Sequence, residues 1–427
     1  MGSGLSETFD VKQPRNVGLI GLVHGLNEFF SIALPPIIPL LVADLDITLA
    51  QAGILLTVFF AMYSVFQLPA GIISDRIGKK RILVGGLIVM AIGIFIASIS
   101  QTYAMLLAAQ VMAGIGGSTF HPAGMSLISD IESTETEGKA MGIFGFGGMG
   151  GIAAAPLVIG GLAAVVGWRL ALAAAAILGV LGTAIFVVLF VEEDRPRKSP
   201  STDGAGQCQS TVDNTSTTDH IQNRIGQFLE SVRIPLTGGI ILLLVVTVII
   251  SMQGRAVQTF TTAYLFQYTD ESTTIANLGF FSMLVAGSLA SLWAGNIADR
   301  FDRGLLGFGL SGITALILGL TIFVAMLGGI FDRLVFTLIL IAWFFVIGVT
   351  MYAIVPIKNA MISAKAEREY SGRLFGFIQT ASAVGSASGP AIFGWLGTEF
   401  GIAIAYPLIA VTSVILAICF LLLSKFG

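Results

Sequence analysis

Residues 82–100 read ILVGGLIVMAIGIFIASIS, nineteen consecutive positions without a charged side chain. As a helix rising 1.5 Å per residue, such a stretch crosses the hydrocarbon core of a bilayer, which is about 30 Å thick. Apolar runs of similar length recur along the chain, whose 427 residues are 55% hydrophobic and only 11% charged. So few charges cannot cover the surface of a soluble protein of this length. The sequence therefore predicts an all-α membrane protein.

The apolar runs predict twelve transmembrane helices, six on each side of a polar segment. They lie at residues 17–41, 50–73, 82–100, 103–129, 139–166 and 169–191, and then at 236–266, 275–297, 304–327, 334–363, 372–397 and 402–424. Residues 1–16 are then an N-terminal tail, and 17–191 and 235–424 are two six-helix bundles. Residues 192–234 are charged and rich in Ser and Thr, a composition typical of a disordered linker.

The basic residues predict the orientation of the helices. With the N-terminus inside, only Arg169 and Arg333 fall outside, and Arg255 and Lys358 fall within apolar segments. Every other Lys and Arg falls on the cytoplasmic side, as the positive-inside rule requires. We therefore expect a multi-pass protein of the cell membrane with both termini in the cytoplasm. The first sixteen residues do not resemble a cleavable signal peptide, so the first apolar segment is expected to be retained.

The two halves repeat one another. Residues 138–142 (GKAMG) correspond to residues 372–376 (GRLFG), 234 positions later. At the same offset, Gly151, Pro156, Gly160 and Gly167 fall on Gly385, Pro390, Gly394 and Gly401. Many secondary transporters use duplicated halves of this kind to place one site between two rocking bundles. The repeat predicts pseudo-symmetric bundles and alternating access.

Short motifs add a family resemblance. The segment 71–81 (GIISDRIGKKR) resembles the signature between helices two and three of the major facilitator superfamily, and 155–161 (APLVIGG) resembles its antiporter motif. Residues 24–28 (HGLNE) and 120–122 (FHP) resemble the fosmidomycin-resistance branch of efflux proteins. The resemblance implies the major facilitator fold and transport of a small molecule, with export favoured. It also implies a gating role for the loop motif and its second-half copy: Gly71, Asp75, Arg76, Gly78, Asp299 and Arg300.

Polar residues inside the predicted helices are candidates for proton coupling. Glu28 lies near the centre of the first helix, where an unpaired carboxylate costs at least a few kcal/mol. His24 shares its helix face, and His121 of the fourth helix is expected at a depth similar to that of His24. A Glu/His cluster facing a cavity can bind and release a proton, so we predict that Glu28, His24 and His121 carry the coupling. In the alternative, the histidines are neutral packing groups.

Arg255 is the other charged residue deep within a predicted helix. A buried guanidinium needs an anion, which is either a carboxylate such as Glu28 or the substrate. Both alternatives remain open from the sequence. The residues predicted to line the substrate cavity are Asn27, Arg255, Gln258, Tyr352 and Asn359.

The function favoured by these patterns is proton-coupled secondary transport of a small organic solute. The alternative is an importer or exchanger of an organic anion that Arg255 neutralises. The chain has no Walker-type Gly-Lys-Ser/Thr motif, no Ser/His or His/Asp/Glu set at one membrane face, and no soluble sensory domain, which argues against an ATP-driven pump, an enzyme and a receptor. The three histidines show no metal-ligand spacing, so neither metal nor cofactor is predicted. The expected partners are the solute, protons and the bilayer, with no nucleic acid, and the chain is expected to act as a monomer.

Overall fold

The computed structural model describes residues 11–133, 135–191, 237–269, 271–366 and 371–426, which are almost entirely helical and contain no strand. The predicted linker lies outside the described residues. We number the helices α1 to α12 in chain order. They are α1 (Pro14–Ser31 and Pro35–Leu45), α2 (Leu49–Ile77), α3 (Lys79–Ser98), α4 (Tyr103–Ile131), α5 (Glu137–Val166), α6 (Trp168–Leu189), α7 (Gly238–Tyr268), α8 (Thr273–Ala298), α9 (Arg303–Gly329), α10 (Arg333–Lys365), α11 (Ser371–Phe400) and α12 (Ile402–Lys425).

Most of these helices can span a membrane. Within the described residues, α2 to α10 and α12 are ten helices that are long and apolar enough, and the two pieces of α1 pass the same test together. Helix α11 has 30 residues and many small or hydroxylated side chains. It packs against α2 and α7, so much of its surface contacts protein rather than lipid. Fewer of its side chains therefore need to be apolar.

Prolines explain where the helices depart from regular geometry. Helix α1 bends by 40° at residues 32–34, just before Pro35 and Pro36, which have no N–H for the helical ladder. In α4, the ladder is interrupted at residues 118–119, where Pro122 leaves the carbonyl of Ser118 without its usual donor. In α5, Pro156 opens a π-helical turn, Pro156–Gly160.

Helices within each half pack through glycines. A Cβ atom added to Gly147 would lie 2.1 Å from the carbonyl oxygen of Gly21, and one added to Gly151 would lie 1.9 Å from that of Gly25. The backbones of α1 and α5 therefore touch directly, which larger residues would prevent. In the second half, a Cβ atom added to Gly348 of α10 would lie 2.0 Å from the carbonyl oxygen of Met283 in α8.

Candidate functional site

A cavity of about 1000 Å³ lies between the two halves. Helices α1, α2 and α4 form one wall and helices α7 and α11 form the other. The titratable or charged side chains that line it are Glu28, Tyr63, Asp75, His121 and Arg255. The cavity reaches Gly71 and Asp75 near the end of α2, which is the end that the basic residues predict to be cytoplasmic.

The opposite end of the cavity is closed by contacts between α2 and α11. A Cβ atom on Gly53 would lie 2.1 Å from the carbonyl oxygen of Pro390, so the two backbones meet there. The Ala50 N–H donates to Thr398 Oγ1 at 2.8 Å, and Thr57 Oγ1 donates to the Ala387 carbonyl at 2.7 Å. These contacts join the first half to the second.

Asn277 of α8 forms a second seal at the same end. Its Nδ2 donates to the Pro36 carbonyl at the break in α1, at 3.1 Å, and its Oδ1 accepts from Thr262 at 3.3 Å. The side chain also lies against Gly160, where a Cβ atom would come within 2.4 Å of it. These two seals close the end of the cavity that lies opposite Asp75.

Glu28 lies between two histidines on the first-half wall. Its Oε1 is 3.6 Å from His121 Nε2 and 3.8 Å from His24 Nε2. The Ser31 hydroxyl donates to the Glu28 carbonyl at 2.8 Å and is 3.3 Å from Oε2. Glu28 and His121 line the cavity, whereas His24 is buried behind them. The structure thus brings together the three residues predicted to carry the proton.

Neighbouring groups fix the orientation of the His24 ring. Its Nδ1 lies 2.7 Å from the Phe144 carbonyl, and because a carbonyl can only accept, Nδ1 carries the hydrogen. The ring stacks on Phe144, with centroids 3.8 Å apart, and on Phe120 at 5.4 Å. A Cβ atom on Gly148 would come within 2.5 Å of the ring, so any larger residue at this position would displace the ring. His24 Nε2 is buried and has no hydrogen-bond partner among the described residues.

Asn27 is placed differently from the cavity-lining position that the sequence predicts. It is 1% exposed, donates from Nδ2 to the Gly117 carbonyl at 3.1 Å and accepts from the Tyr63 hydroxyl at 3.2 Å. Asn27 therefore joins α1 to α2 and α4 behind the cavity wall. The sequence places it on the same face as His24, but it cannot tell which neighbour that side chain meets.

Arg255 lies on the opposite wall and has no carboxylate partner in the described part of the chain. Its Nη1 donates to Gln258 Oε1 at 2.8 Å, and Gln258 Nε2 donates to the Tyr352 hydroxyl at 2.7 Å. The guanidinium also lies over the Phe60 ring, 4.2 Å from its centroid. Gln258 and Tyr352 thus position Arg255 rather than line the cavity themselves, and Asn359 is exposed elsewhere. The sequence-based alternative of an ion pair with Glu28 is not formed in this conformation.

The gating motif lies at the open end of the cavity. Asp75 is exposed at the mouth, with no hydrogen bond from a described residue, and Arg76 beside it is exposed. Gly78 has φ +104°, a value that side chains disfavour, and it connects α2 to α3. Lys79 donates a hydrogen bond to Asp130 of α4 at 2.5 Å. This basic residue therefore joins α3 to α4, in addition to contributing to the orientation of the helices.

The second copy of the motif is built differently. Asp299 pairs with Arg303 at 3.2 Å, and Arg300 is exposed. Asp302, which stands where the first copy has Gly78, accepts from the Leu305 N–H at 2.7 Å and caps α9. A helix cap replaces the glycine hinge here.

Glu132 is a structural anchor that sequence reasoning missed. Its carboxylate accepts from the N–H groups of Lys12 and Gln13, both at 2.8 Å, and from Thr136 Oγ1 at 2.6 Å. Burial, the largest influence, raises the pKa of Glu132, but these hydrogen bonds together hold the pKa below its usual value. Its backbone partners lie about 120 residues away, so no local pattern could have revealed them.

Residues 19–331 and 243–426 match the Major Facilitator Superfamily. The chain belongs to this superfamily. The predicted fold class is confirmed, and the matched family is one of membrane transporters rather than enzymes.

Curated relatives of this superfamily member include a probable nitrate transporter, NarT, of Staphylococcus aureus. It is 28% identical over 181 residues, which are 42% of this chain and 46% of the relative. The match thus spans about half the length of the curated relatives. The more specific resemblance to the fosmidomycin-resistance branch remains a prediction.

Solved structures of the superfamily resemble the whole chain. A bacterial homolog of the human lysosomal transporter Spinster, described as inward-facing and occupied, has a TM-score of 0.78 at 15% identity, covering 96% of both chains. The nucleoside transporter NupG has a TM-score of 0.71 at 13% identity, covering 96% of this chain and all of its own. At these identities the likeness shows the fold alone.

Proposed function

We propose that this chain is a proton-coupled secondary transporter that moves a small organic solute by alternating access, with export as the favoured direction. The observation that carries the proposal is the cavity between the halves, sealed at one end and lined by Glu28 and His121 on one wall and Arg255 on the other. A solute bound there touches both halves, so rocking one half against the other exposes it to the opposite side. The chain is then a cell-membrane protein with cytoplasmic termini, as its basic residues favour.

Glu28 supplies the coupling in this proposal. It faces the cavity, so an ion can reach it from whichever side is open, and the two imidazoles offer neighbouring sites for the same proton. Tyr63 of α2 and Ser31 of α1 also adjoin the cavity near this cluster, and Arg255 faces it from the second half. The sequence of the first and fourth helices, which resembles an efflux branch, supports export.

Flux through proteoliposomes tests the coupling. Glu28→Gln keeps the shape of the side chain but cannot exchange a proton, so gradient-driven transport should be lost while counterflow of labelled solute persists. Counterflow exchanges solute for solute and needs no net proton movement. Glu399→Gln, at an exposed position near the sealed end of the cavity, is the matched control and should retain both activities. Gradient-driven flux at the wild-type rate in Glu28→Gln would refute proton coupling at this residue.

A second candidate is uptake or exchange of an organic anion, favoured by the environment of Arg255. Its guanidinium faces the cavity, and among the described residues it donates a hydrogen bond to Gln258 alone, which leaves donors for an anion. The NarT relative is itself described as a transporter of an anion, nitrate.

Substrate competition distinguishes the two candidates. A hydrogen bond to a charged group contributes about 1.5–3 kcal/mol, so Arg255→Gln should weaken the binding of an anionic substrate by about 10- to 150-fold. The assay is inhibition of counterflow by nitrate, organic carboxylates, sugars and hydrophobic cations. If Arg255→Gln leaves the affinity for every transported anion unchanged, the anion candidate is wrong.

A further inference from the structure

Three potential metal ligands converge on one point of the cavity wall. The imidazole nitrogens of His24 and His121 and a carboxylate oxygen of Glu28 all lie within 4.8 Å of one another. Zinc binds such atoms at about 2.0–2.1 Å, and two ligands on a tetrahedron of that size are about 3.4 Å apart. The observed 3.6 Å and 3.8 Å from Glu28 Oε1 to the two histidines are close to this separation. Small side-chain adjustments would therefore bring all three ligands onto one ion.

The orientation of His24 is that of a metal ligand. Histidines that bind metals almost always donate their second ring N–H to a backbone carbonyl or a carboxylate. His24 Nδ1 donates to the Phe144 carbonyl, which leaves the lone pair on Nε2. That nitrogen is buried, in a residue that is 5% exposed overall, and no described group hydrogen-bonds to it. A buried acceptor without a donor is costly, and a bound cation would satisfy it.

The surroundings of the cluster leave one coordination position open. Glu28 and His121 line the cavity, so an ion can enter from the open end and a fourth ligand can reach it from the cavity. The Ser31 hydroxyl lies 3.3 Å from Glu28 Oε2 and can support that carboxylate, as outer-shell groups commonly do at metal sites. The other charged side chains that line the cavity are Asp75 at the mouth and Arg255 on the opposite wall.

We propose that His24, Glu28 and His121 form a binding site for a divalent first-row transition metal ion, Zn²⁺ foremost. Two imidazoles and a carboxylate suit this class, whereas Ca²⁺ and Mg²⁺ prefer oxygen ligands. A water molecule or a carboxylate oxygen of the solute completes the shell from the cavity. The site goes beyond proton-coupled transport, and its occupancy can be measured without any transport assay.

The test uses purified full-length protein without a polyhistidine tag, with Cys208 and Cys419 replaced to remove thiol ligands. Titration with Co²⁺ alone, followed by its visible absorption, reports the ligand number, and competition with Zn²⁺ gives the affinity for zinc. We expect one ion per chain. Because losing even an outer-shell partner costs 10- to 100-fold in affinity, His121→Gln and Glu28→Gln should each weaken binding by more than about 100-fold. His220→Ala, which removes the only other histidine, should leave it unchanged.

A second pair of variants guards against loss of the fold. Gly148→Ala pushes on the His24 ring, with its Cβ within 2.5 Å, whereas Gly150→Ala meets nothing within 4 Å. Both should yield monodisperse helical protein, and only Gly148→Ala should weaken metal binding, by about 10-fold or more. Binding that is absent in the wild type, or that survives unchanged in the well-folded His121→Gln and Glu28→Gln variants, would overturn the proposal. Neither result would bear on proton coupling, which the flux experiment measures separately.

Discussion

Gly53 lies where α2 meets α11 at the sealed end of the cavity, and enlarging it tests alternating access directly. In Gly53→Ala the new Cβ would lie 2.1 Å from the Pro390 carbonyl oxygen, whereas real Cβ atoms essentially never come within 3.0 Å of another heavy atom. The two backbones must therefore separate by about 0.9 Å, the difference between these distances. Overpacking of this kind typically costs 1–3 kcal/mol, which corresponds to about a 5- to 150-fold shift between two conformations. The shift should favour the conformation in which this end is open.

Spin-label distances across the seal measure that shift. Labels at Ala43 and Glu399, which are exposed and belong to different halves, should show a larger population of long distances in Gly53→Ala. Gly85→Ala is the matched control, because a Cβ there meets nothing within 4 Å, and it should leave the distribution unchanged. An unchanged distribution in Gly53→Ala, in protein that folds normally, would refute the assignment of this contact as a gate.

Two further predictions concern the ends of the helices. Asp75→Asn should cut transport strongly at near-normal expression, because Asp75 is exposed at the cavity mouth and no described residue hydrogen-bonds to it, so the fold does not depend on its carboxylate. Asp46→Asn, at an exposed position at the sealed end, should have no effect. Wild-type flux in Asp75→Asn would show that the motif only sets the topology. The folded-state pKa of Glu132 is lowered, so the stability it contributes is present above its ordinary pKa and is lost as the pH falls through the folded value. A hydrogen bond to a charged group contributes about 1.5–3 kcal/mol, which corresponds to a factor of about 10 to 150. Glu132→Gln should therefore reduce the hydrogen-exchange protection of the Lys12 and Gln13 amides by about 10- to 150-fold near neutral pH. In the wild-type protein, the protection of these amides should fall to the level of Glu132→Gln only in acid. Equal protection in the wild type and in Glu132→Gln at neutral pH would contradict the anchoring role.

The helices were predictable because their signal is local. A long apolar run can be recognised as a transmembrane helix from its length and the thickness of the bilayer alone. The predicted bounds 50–73 and 82–100 accordingly fall within or close to α2 and α3. The first helix was predicted as one segment at 17–41, but Pro35 and Pro36 divide it. A proline also accompanies the interruption in α4, which lies just before Pro122. Proline chemistry indicates where a helix departs from regularity, but not whether it bends or breaks.

The site was predictable in part. Placing His24 and Glu28 one helical turn apart required only helix geometry, and the depth argument brought His121 near them. The side-chain atoms of these three residues approach metal-binding distances because of the way α1 packs against α4 and α5. The spacing of residues in the sequence does not predict that packing. The same limit applies to Asn277, whose partner Pro36 lies 241 residues away in the other half.

The direct contact between the backbones of α1 and α5 has a mechanical consequence. Because Gly21 and Gly25 touch Gly147 and Gly151 without side chains between them, neither helix can slide along the other without a clash. The two segments that carry these glycines should therefore move as one rigid body that includes Glu28, and the bend at residues 32–34 of α1 joins this body to the Asn277 seal at Pro36.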